Sequence, residues 1–194
     1  MSDSFFEVLR PGINTTFQDR GRFHMQHLGV APGGCMDLKS FLIANALVGN
    51  SSSEGVLEFA YQGPLLKLVR GKTKISITGN VIFQINKLSG EKINGECYRT
   101  YDLDHGDQID ILSTKQSDYG YMAIEGGFDI KPFFKSVSIL GRAGIGPNDG
   151  EKIKVKEKIN IKSNRKNKKN FIINFVNAKK NIIRVLNGPQ FNYF

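Results

Sequence analysis

The chain has 194 residues, enough for one domain, or two small ones, with a buried core. Two cysteines, Cys35 and Cys97, exclude a disulfide framework, and the longest apolar run, FLIANALV, is too short to cross a bilayer. The net charge of +9 is local: ten lysines and one arginine against two glutamates put +9 into residues 151–180, Arg184 adds one, and residues 1–150 carry −1.

The opening MSDSFFEVLRPG lacks a long apolar stretch, which predicts no signal peptide and, with so few cysteines, a cytoplasmic protein. A helix is predicted next. Asp37 is a good N-cap, Leu38 to Val48 is rich in helix formers, and Gly49 is a C′ stop. Leu38, Phe41, Leu42, Ala46 and Val48 give it an apolar face for a sheet. Short strands follow at Leu57–Tyr61 and Leu65–Val69. Lys74–Thr78 alternates with period two, Gly79-Asn80 turns, and Val81–Ile85 continues, which reads as a hairpin or tight strand pair. Gln108–Leu112, Tyr119–Ile124, Phe171–Val176 and Ile182–Leu186 complete the strands. Between the last pairs, residues 162–170 form a basic surface loop. It has no aromatic residue among its charges, so it predicts a solvated segment and no nucleic-acid contact. No internal repeat is visible. The pattern predicts a mainly-β barrel or sandwich with one or two short covering helices.

Few residues carry obvious chemistry. His24 and His27 lie three apart without a third ligand at metal spacing, so no metal site is predicted. Cys35 precedes the helix, but Asp37 already holds the cap and no histidine partner is evident. It reads as a packed small residue rather than a nucleophile. The bare backbones are Gly33-Gly34, Gly126-Gly127 and the run GRAGIGPNDG from Gly141. None has the Gly-Lys-Ser/Thr ending of a phosphate loop. Such glycines admit a ligand to backbone N–H groups, or simply make β-turns. Asp19, Arg20, Arg22, Asp37 and Glu58 are interspersed with these turns, and each alone is an ordinary charge or cap. Residue by residue, the physics stops at a mainly-β domain with one candidate anion-binding turn.

The stretch VLRPGINTTFQDRGRFHMQHLGVAPGGCMD resembles the allophanate hydrolase subunit 2, or biotin-dependent carboxyltransferase, family, which includes the C component of 5-oxoprolinase. It is similar to that family's Pro-Gly, Thr-x-Gln-Asp-x-Gly-Arg and Gly-Val-x-Pro-Gly-Gly-x-Met-Asp signatures. ANALVGN, LEFAYQGP, ITGN, AIEGGFDI, SVSILGRAGIG and RVLNGPQFNYF continue the likeness in order along nearly the whole chain. Three departures stand out. Ser136-Val137-Ser138-Ile139 stands where the family commonly has Ser-Arg-Ser-Thr, so an arginine is missing. Pro147 stands where a second glycine is common. The family's usual chain is longer, so residues 1–194 look like its N-terminal portion with the C-terminal half absent.

The resemblance implies a cyclophilin-like, barrel-like mainly-β domain that pairs with a subunit 1 homologue. It implies a subunit of an ATP-dependent amide hydrolase that opens 5-oxoproline to glutamate, a cytoplasmic enzyme inactive alone, with ATP bound by the complex. A carboxyltransferase that moves CO2 from carboxybiotin to urea is the alternative, its biotin on a separate carrier. A third reading is a non-catalytic module that antagonises a kinase inhibitor. Either enzyme must polarise a small-molecule amide carbonyl, and neither reading involves nucleic acid or membrane. The implied substrate-binding residues are Gln18, Arg22, Gly33, Gly34, Glu58 and Arg142; no catalytic residue is assigned. Asp19, Pro32, Asp37, Asn45, Gly49, Asn50, Gly126 and Gly127 are implied to build the motif. Arg22 and Arg142 would meet a carboxylate, phosphate or bicarbonate, Gln18 an amide, and Glu58 would orient Arg22 or a donor.

Overall fold

Alternating side chains along short strands build two antiparallel sheets with one core between them. The computed structural model describes residues 4–162, 170–173, 186, 188 and 189. The strands are β1 (Phe5–Arg10), β2 (Asn14–Gln18), β3 (Val56–Ala60), β4 (Leu65–Arg70), β5 (Thr73–Gly79), β6 (Val81–Asn86), β7 (Lys92–Asn94), β8 (Thr100–Leu103), β9 (Gln108–Thr114), β10 (Tyr119–Ile124) and β11 (Lys158–Asn160). One sheet runs β11-β1-β4-β9-β6-β7 and the other β2-β3-β10-β5-β8. Phe6, Val8, Leu66, Leu68, Phe83 and Ile109 from the first meet Phe17, Leu57, Phe59, Ile75, Ile77 and Met122 from the second in one apolar cluster. The mainly-β expectation with a covering helix holds.

The helix, α1 (Leu38–Leu47), lies on the outer face of the second sheet. Its buried face differs from the predicted one. Leu38 and Ala46 are exposed, while Ser40, Phe41, Ala44, Asn45 and Leu47 are buried. The polar members are bonded: Ser40 Oγ donates to Asp37 Oδ2 at 2.5 Å and Asn45 Nδ2 to Glu54 O at 2.9 Å. Thr78 Oγ1 donates to Ser40 O at 2.8 Å and Ser76 Oγ to Ala44 O at 2.7 Å, stitching the helix backbone to β5. Hydrophobicity ranking alone misses a face chosen partly by the buried Ser76 and Thr78 hydroxyls, which need acceptors. The cover also explains why every residue of β5 is buried, whereas β6 alternates.

The predicted hairpin is a second correction. β5 pairs with β10 and β8, whereas β6 pairs with β9 and β7. At Gly79, φ is +100° and the chain crosses from one sheet to the other. A Cβ there would lie 2.9 Å from Tyr119 O, so only glycine makes this corner. Both strands send side chains into the same core, so the period-two pattern runs through the crossover as it would through a hairpin.

Ile172 bridges Arg99 beside β8, so Phe171 to Ile173 lie extended as expected. The remainder of that predicted strand, the strand at Ile182–Leu186 apart from Leu186, and positions 163–169 of the basic loop lie outside the described residues. Among the described residues, no helix is long and apolar enough to cross a membrane.

Candidate functional site

β2 ends at Gln18, and the chain leaves it through Asp19 into an excursion that returns at Gly34. Between Arg20 and Gly34 only Arg22 is buried. Its neck closes on backbone bonds: Arg22 N–H donates to Pro32 O at 2.7 Å and Cys35 N–H to Asp19 O at 2.9 Å. Gly21, at φ +91°, allows the closure, because a Cβ would lie 2.7 Å from both Pro32 O and Gly33 O.

A serine segment far along the chain locks this neck. Asp19 Oδ1 accepts from Gly21 N–H and Ser136 Oγ, both at 2.7 Å, and its Oδ2 accepts from Val137 N–H at 2.8 Å. Ser138 Oγ donates to Gln18 Oε1 at 2.5 Å and accepts from Gly34 N–H at 2.7 Å. Gln18 Nε2 donates to Thr16 Oγ1 and Ile139 O, both at 3.0 Å. Arg22 Nη2 donates to Ser138 O. Its Nε and Nη1 have no acceptor among the described residues, although the side chain is 2% exposed. Burial lowers the Arg22 pKa, opposed by the nearby Asp19 carboxylate. A Cβ on Gly33 would lie 3.2 Å from Arg22 Nη1 and 2.9 Å from Ser138 Oγ, so glycine lets the turn lie flat over the guanidinium.

The helix entrance continues the network. Met36 N–H donates to Glu58 Oε2 at 2.7 Å and Asp37 N–H to Tyr121 OH at 2.6 Å. Asp37 caps α1 through Lys39 and Ser40 N–H, at 3.0 and 3.1 Å. Glu58 and Tyr121 are cross-strand neighbours, and the phenol also hydrogen-bonds the carboxylate. Burial raises the Glu58 pKa, against the hydrogen bonds from Met36 and Tyr121. Burial, then the neighbouring Glu58, pushes the Cys35 thiol up to about 11, so it is protonated at neutral pH and is no nucleophile.

The expected site residues therefore divide. Gln18, Arg22, Gly33, Gly34, Pro32, Asp19, Asp37 and Glu58 converge on one network. Glu58 orients the Met36 N–H, and no ion pair joins it to Arg22 among the described residues. The expected uncovered N–H of Gly34 is occupied by Ser138; that of Gly33 has no partner among the described residues. Arg142 stands apart, exposed on the 3-10 turn Gly141–Ala143. Asn45, Gly49, Asn50, Gly126 and Gly127 gather at the other end of α1. There Asn50 Nδ2 donates to Asn45 Oδ1 at 3.0 Å and Ile124 O at 2.8 Å, and Asn50 Oδ1 accepts from Gly126 N–H at 2.9 Å. Gly49, at φ +73°, ends the helix, and a Cβ on Gly127 would strike the Glu54 carboxylate.

Sequence reasoning missed Ser136, Ser138 and Tyr121 as members of this network. The available signal was the polar alternation Ser136-Val137-Ser138 within an otherwise apolar run. No group of three or more His, Cys, Asp or Glu residues among the described residues is placed to hold a metal. ATP does not fit this chain's turn either. The N–H groups from Gly34 to Asp37 are already bonded, and Asp37 and Glu58 would oppose a phosphate.

A family model described as carboxyltransferase domain, subdomain A and B, matches residues 28–194. Urea amidolyase of Saccharomyces cerevisiae is 29% identical over 163 residues, covering 84% of this chain and 9% of that protein. The C component of 5-oxoprolinase from Escherichia coli is 24% identical over 196 residues, covering 97% of this chain and 59% of that protein. The chain thus spans less than two thirds of either relative's length. Among solved structures, TTHA0988 superposes with a TM-score of 0.83 at 28% identity, covering 96% of this chain and 36% of that one. The K. lactis urea amidolyase superposes at 0.74 and 30% identity, over 82% and 9%.

Proposed function

The chain belongs to the carboxyltransferase domain, subdomain A and B, family, and from that membership we propose that it is one component of a 5-oxoprolinase-type amide hydrolase, opening 5-oxoproline to glutamate with partner subunits. The observation that carries this reading is the alignment with a 5-oxoprolinase component over 97% of the chain. ATP is consumed by the complex and held by another of its members, and a subunit 1 homologue is the expected partner. The complex is cytoplasmic in this reading. The carboxyltransferase alternative, with biotin on a separate carrier, is favoured by the higher identity to urea amidolyase.

The chemistry assigned to this chain is polarisation of the amide carbonyl. Arg22 has two donors without acceptors and Gly33 an unpaired N–H beside them among the described residues. Donors fixed in a water-poor place act strongly on a developing oxyanion. The guanidinium is sealed beneath Gly33, so the carbonyl reaches it only when the partner shifts the turn. Ser138 and Asp19 hold the turn in register for that contact. Gln18, Gly34 and Glu58 support it from behind.

The test is an assay of the chain reconstituted with its subunit 1 homologue and lactam-binding partner. ATP-dependent glutamate release from 5-oxoproline is expected in the complex and none from the chain alone. CO2 transfer from carboxybiotin to urea, with 5-oxoproline untouched, would establish the alternative instead.

A further inference from the structure

A cleft of about 520 Å³ opens along the outer edge of β11, bounded by the segment 129–133 and the turn 144–149. Phe17 of the second sheet and Ile159 of the first both line it, so it reaches toward the core between the sheets. Ile130, Phe133 and Pro147 complete its apolar wall.

The edge facing this cleft is unfinished. β1 and β11 pair as Phe5–Asn160, Phe6–Ile159 and Glu7–Lys158. Val8 N–H donates to Glu157 O and Ile161 N–H to Ser4 O, each at 3.0 Å. Hydrogen-bonded pairs alternate along an antiparallel ladder, so Ile159 bonds toward β1 while Lys158 and Asn160 turn their N–H and C=O groups away from it. The segment 127–129 begins a further strand on that outer side. Lys162 N–H donates to Gly127 O at 3.0 Å and Asp129 N–H to Asn160 O at 2.9 Å. It then leaves: Ile130 N–H turns back to Phe128 O, and Pro132 has no N–H. The N–H and C=O of Lys158 are left side by side at the cleft with no partner among the described residues. A donor and an acceptor on one edge residue are what a residue of an extended peptide matches with its own N–H and C=O.

Side chains alternate across a strand, which fixes what such a peptide presents. The residue paired with Lys158 shares the face of the Lys158 side chain, and its two neighbours point the other way, toward Ile159 and Phe17. The Lys158 ammonium lies 4.3 Å from the Phe5 ring centroid and forms no ion pair among the described residues. Glu7, its neighbour on β1, stands in register between Lys158 and Lys67. Lys131, Lys135 and Lys156 are exposed at or beside the cleft, likewise without ion pairs among the described residues, and so are Asp129 and Asp149. Four unpaired lysines against two aspartates favour an acidic residue opposite Lys158. A second copy of β11 would instead bring lysines against lysines, and like charges across strands repel.

The rims hold strained backbone. Phe134, Lys135, Asn148 and Asp149 are all left-handed, with φ from +48° to +61°. Phe134 and Lys135 form a two-residue turn closed by bonds between Phe133 and Ser136 at 2.9 and 3.2 Å. It keeps the Phe133 and Phe134 rings exposed, edge to face with centroids 4.7 Å apart. Such strain persists only where surrounding contacts enforce it, and it concentrates at ligand clamps. We infer that this cleft docks an extended segment of a partner protein, with an acidic residue paired to Lys158 and an apolar residue on each side of it. The acidic residue's N–H donates to Lys158 O and its C=O accepts from Lys158 N–H. The flanking apolar side chains lie along the wall made by Phe17, Phe133 and Ile159. The site uses none of the residues around Arg22 and goes beyond the function proposed above.

Amide NMR of the labelled full chain, titrated with the capped pentapeptide Thr-Val-Glu-Val-Thr, tests this. The Lys158 amide should shift and saturate. The same peptide N-methylated at its glutamate has lost the donor to Lys158 O and should bind about tenfold more weakly. Lysine in place of the central glutamate should weaken binding about threefold, and Lys158→Glu in the chain should reverse that preference. A stationary Lys158 amide, equal binding of the N-methylated peptide, or an unreversed preference in the variant overturns the inference. If the variant does not fold, the N-methyl comparison on the native chain still decides. Sedimentation of the free chain should show a monomer. A dimer whose Lys158 amide is protected from exchange without peptide would overturn the inference in favour of self-pairing.

Discussion

Glu58 shows how a residue with an ordinary role in sequence acquires another in the fold. A carboxylate in the middle of β3 is unexpected, since its neighbours on the strand are apolar. It is held there because Met36 N–H and the Tyr121 hydroxyl both meet it. Burial outweighs these bonds and raises its pKa. The protonated form is therefore favoured by the fold. Its contribution to stability is complete below the ordinary carboxyl range and is lost as pH rises through the raised value. Glu58→Gln keeps an acceptor for Met36 and carries no charge at any pH. The variant's melting temperature should gain on the native chain as pH rises from about 4 to 7. Thermal melts across that range check it, and parallel pH profiles would sink the argument. Gly34 belongs to the same scale. Its φ of +103° and the 3.0 Å approach of a Cβ to the Arg20 backbone make glycine obligatory for conformation, whatever else the turn does.

At the scale of elements, α1 is defined by its two ends more than by its apolar face. Asp37 receives two backbone N–H groups and the Ser40 hydroxyl at 2.5 Å, and Gly49 with Asn50 closes the other end. Both ends were legible in the sequence because capping chemistry is local and needs particular side chains at particular offsets. Asp37→Ala should cost about 1 kcal/mol through the lost cap. Urea unfolding monitored by circular dichroism measures it, and an unchanged midpoint would mean that contacts with β5 and β10 alone define the helix. The strands β3, β4, β6, β9 and β10 were legible to within one or two residues from β-branched and apolar runs. β1 and β2 were not read as strands, because Pro11, Gly12 and the polar Asn14-Thr15-Thr16 broke the pattern. β2 is a strand through its pairing with β3, a property of the partner.

At the scale of the whole molecule, the candidate site is a tie between residues more than a hundred positions apart. Asp19, 8% exposed, takes three donors, two of them from the 136–137 segment. Asp19→Ala leaves Val137 N–H, Gly21 N–H and the Ser136 hydroxyl without that acceptor. The expected cost is roughly 2–4 kcal/mol, as for buried donors that lose an ionised partner. Denaturant unfolding gives the total, and amide exchange should show Val137 losing protection first. Full protection at Val137 in the variant would mean that the segment is held by its other contacts.

The sequence by itself determined the β-rich class, the capped helix and the family signatures, because periodicity, capping and turn chemistry are local. Only the tertiary structure decided that β5 and β6 belong to different sheets, since their alternation is the same in either arrangement. It alone placed Ser136 and Ser138 against Asp19 and Gln18, and buried Arg22 beneath Gly33 with two donors unmatched among the described residues. Each depends on which donors find acceptors across long loops, and hydrogen-bond partners distant in sequence leave no spacing to read.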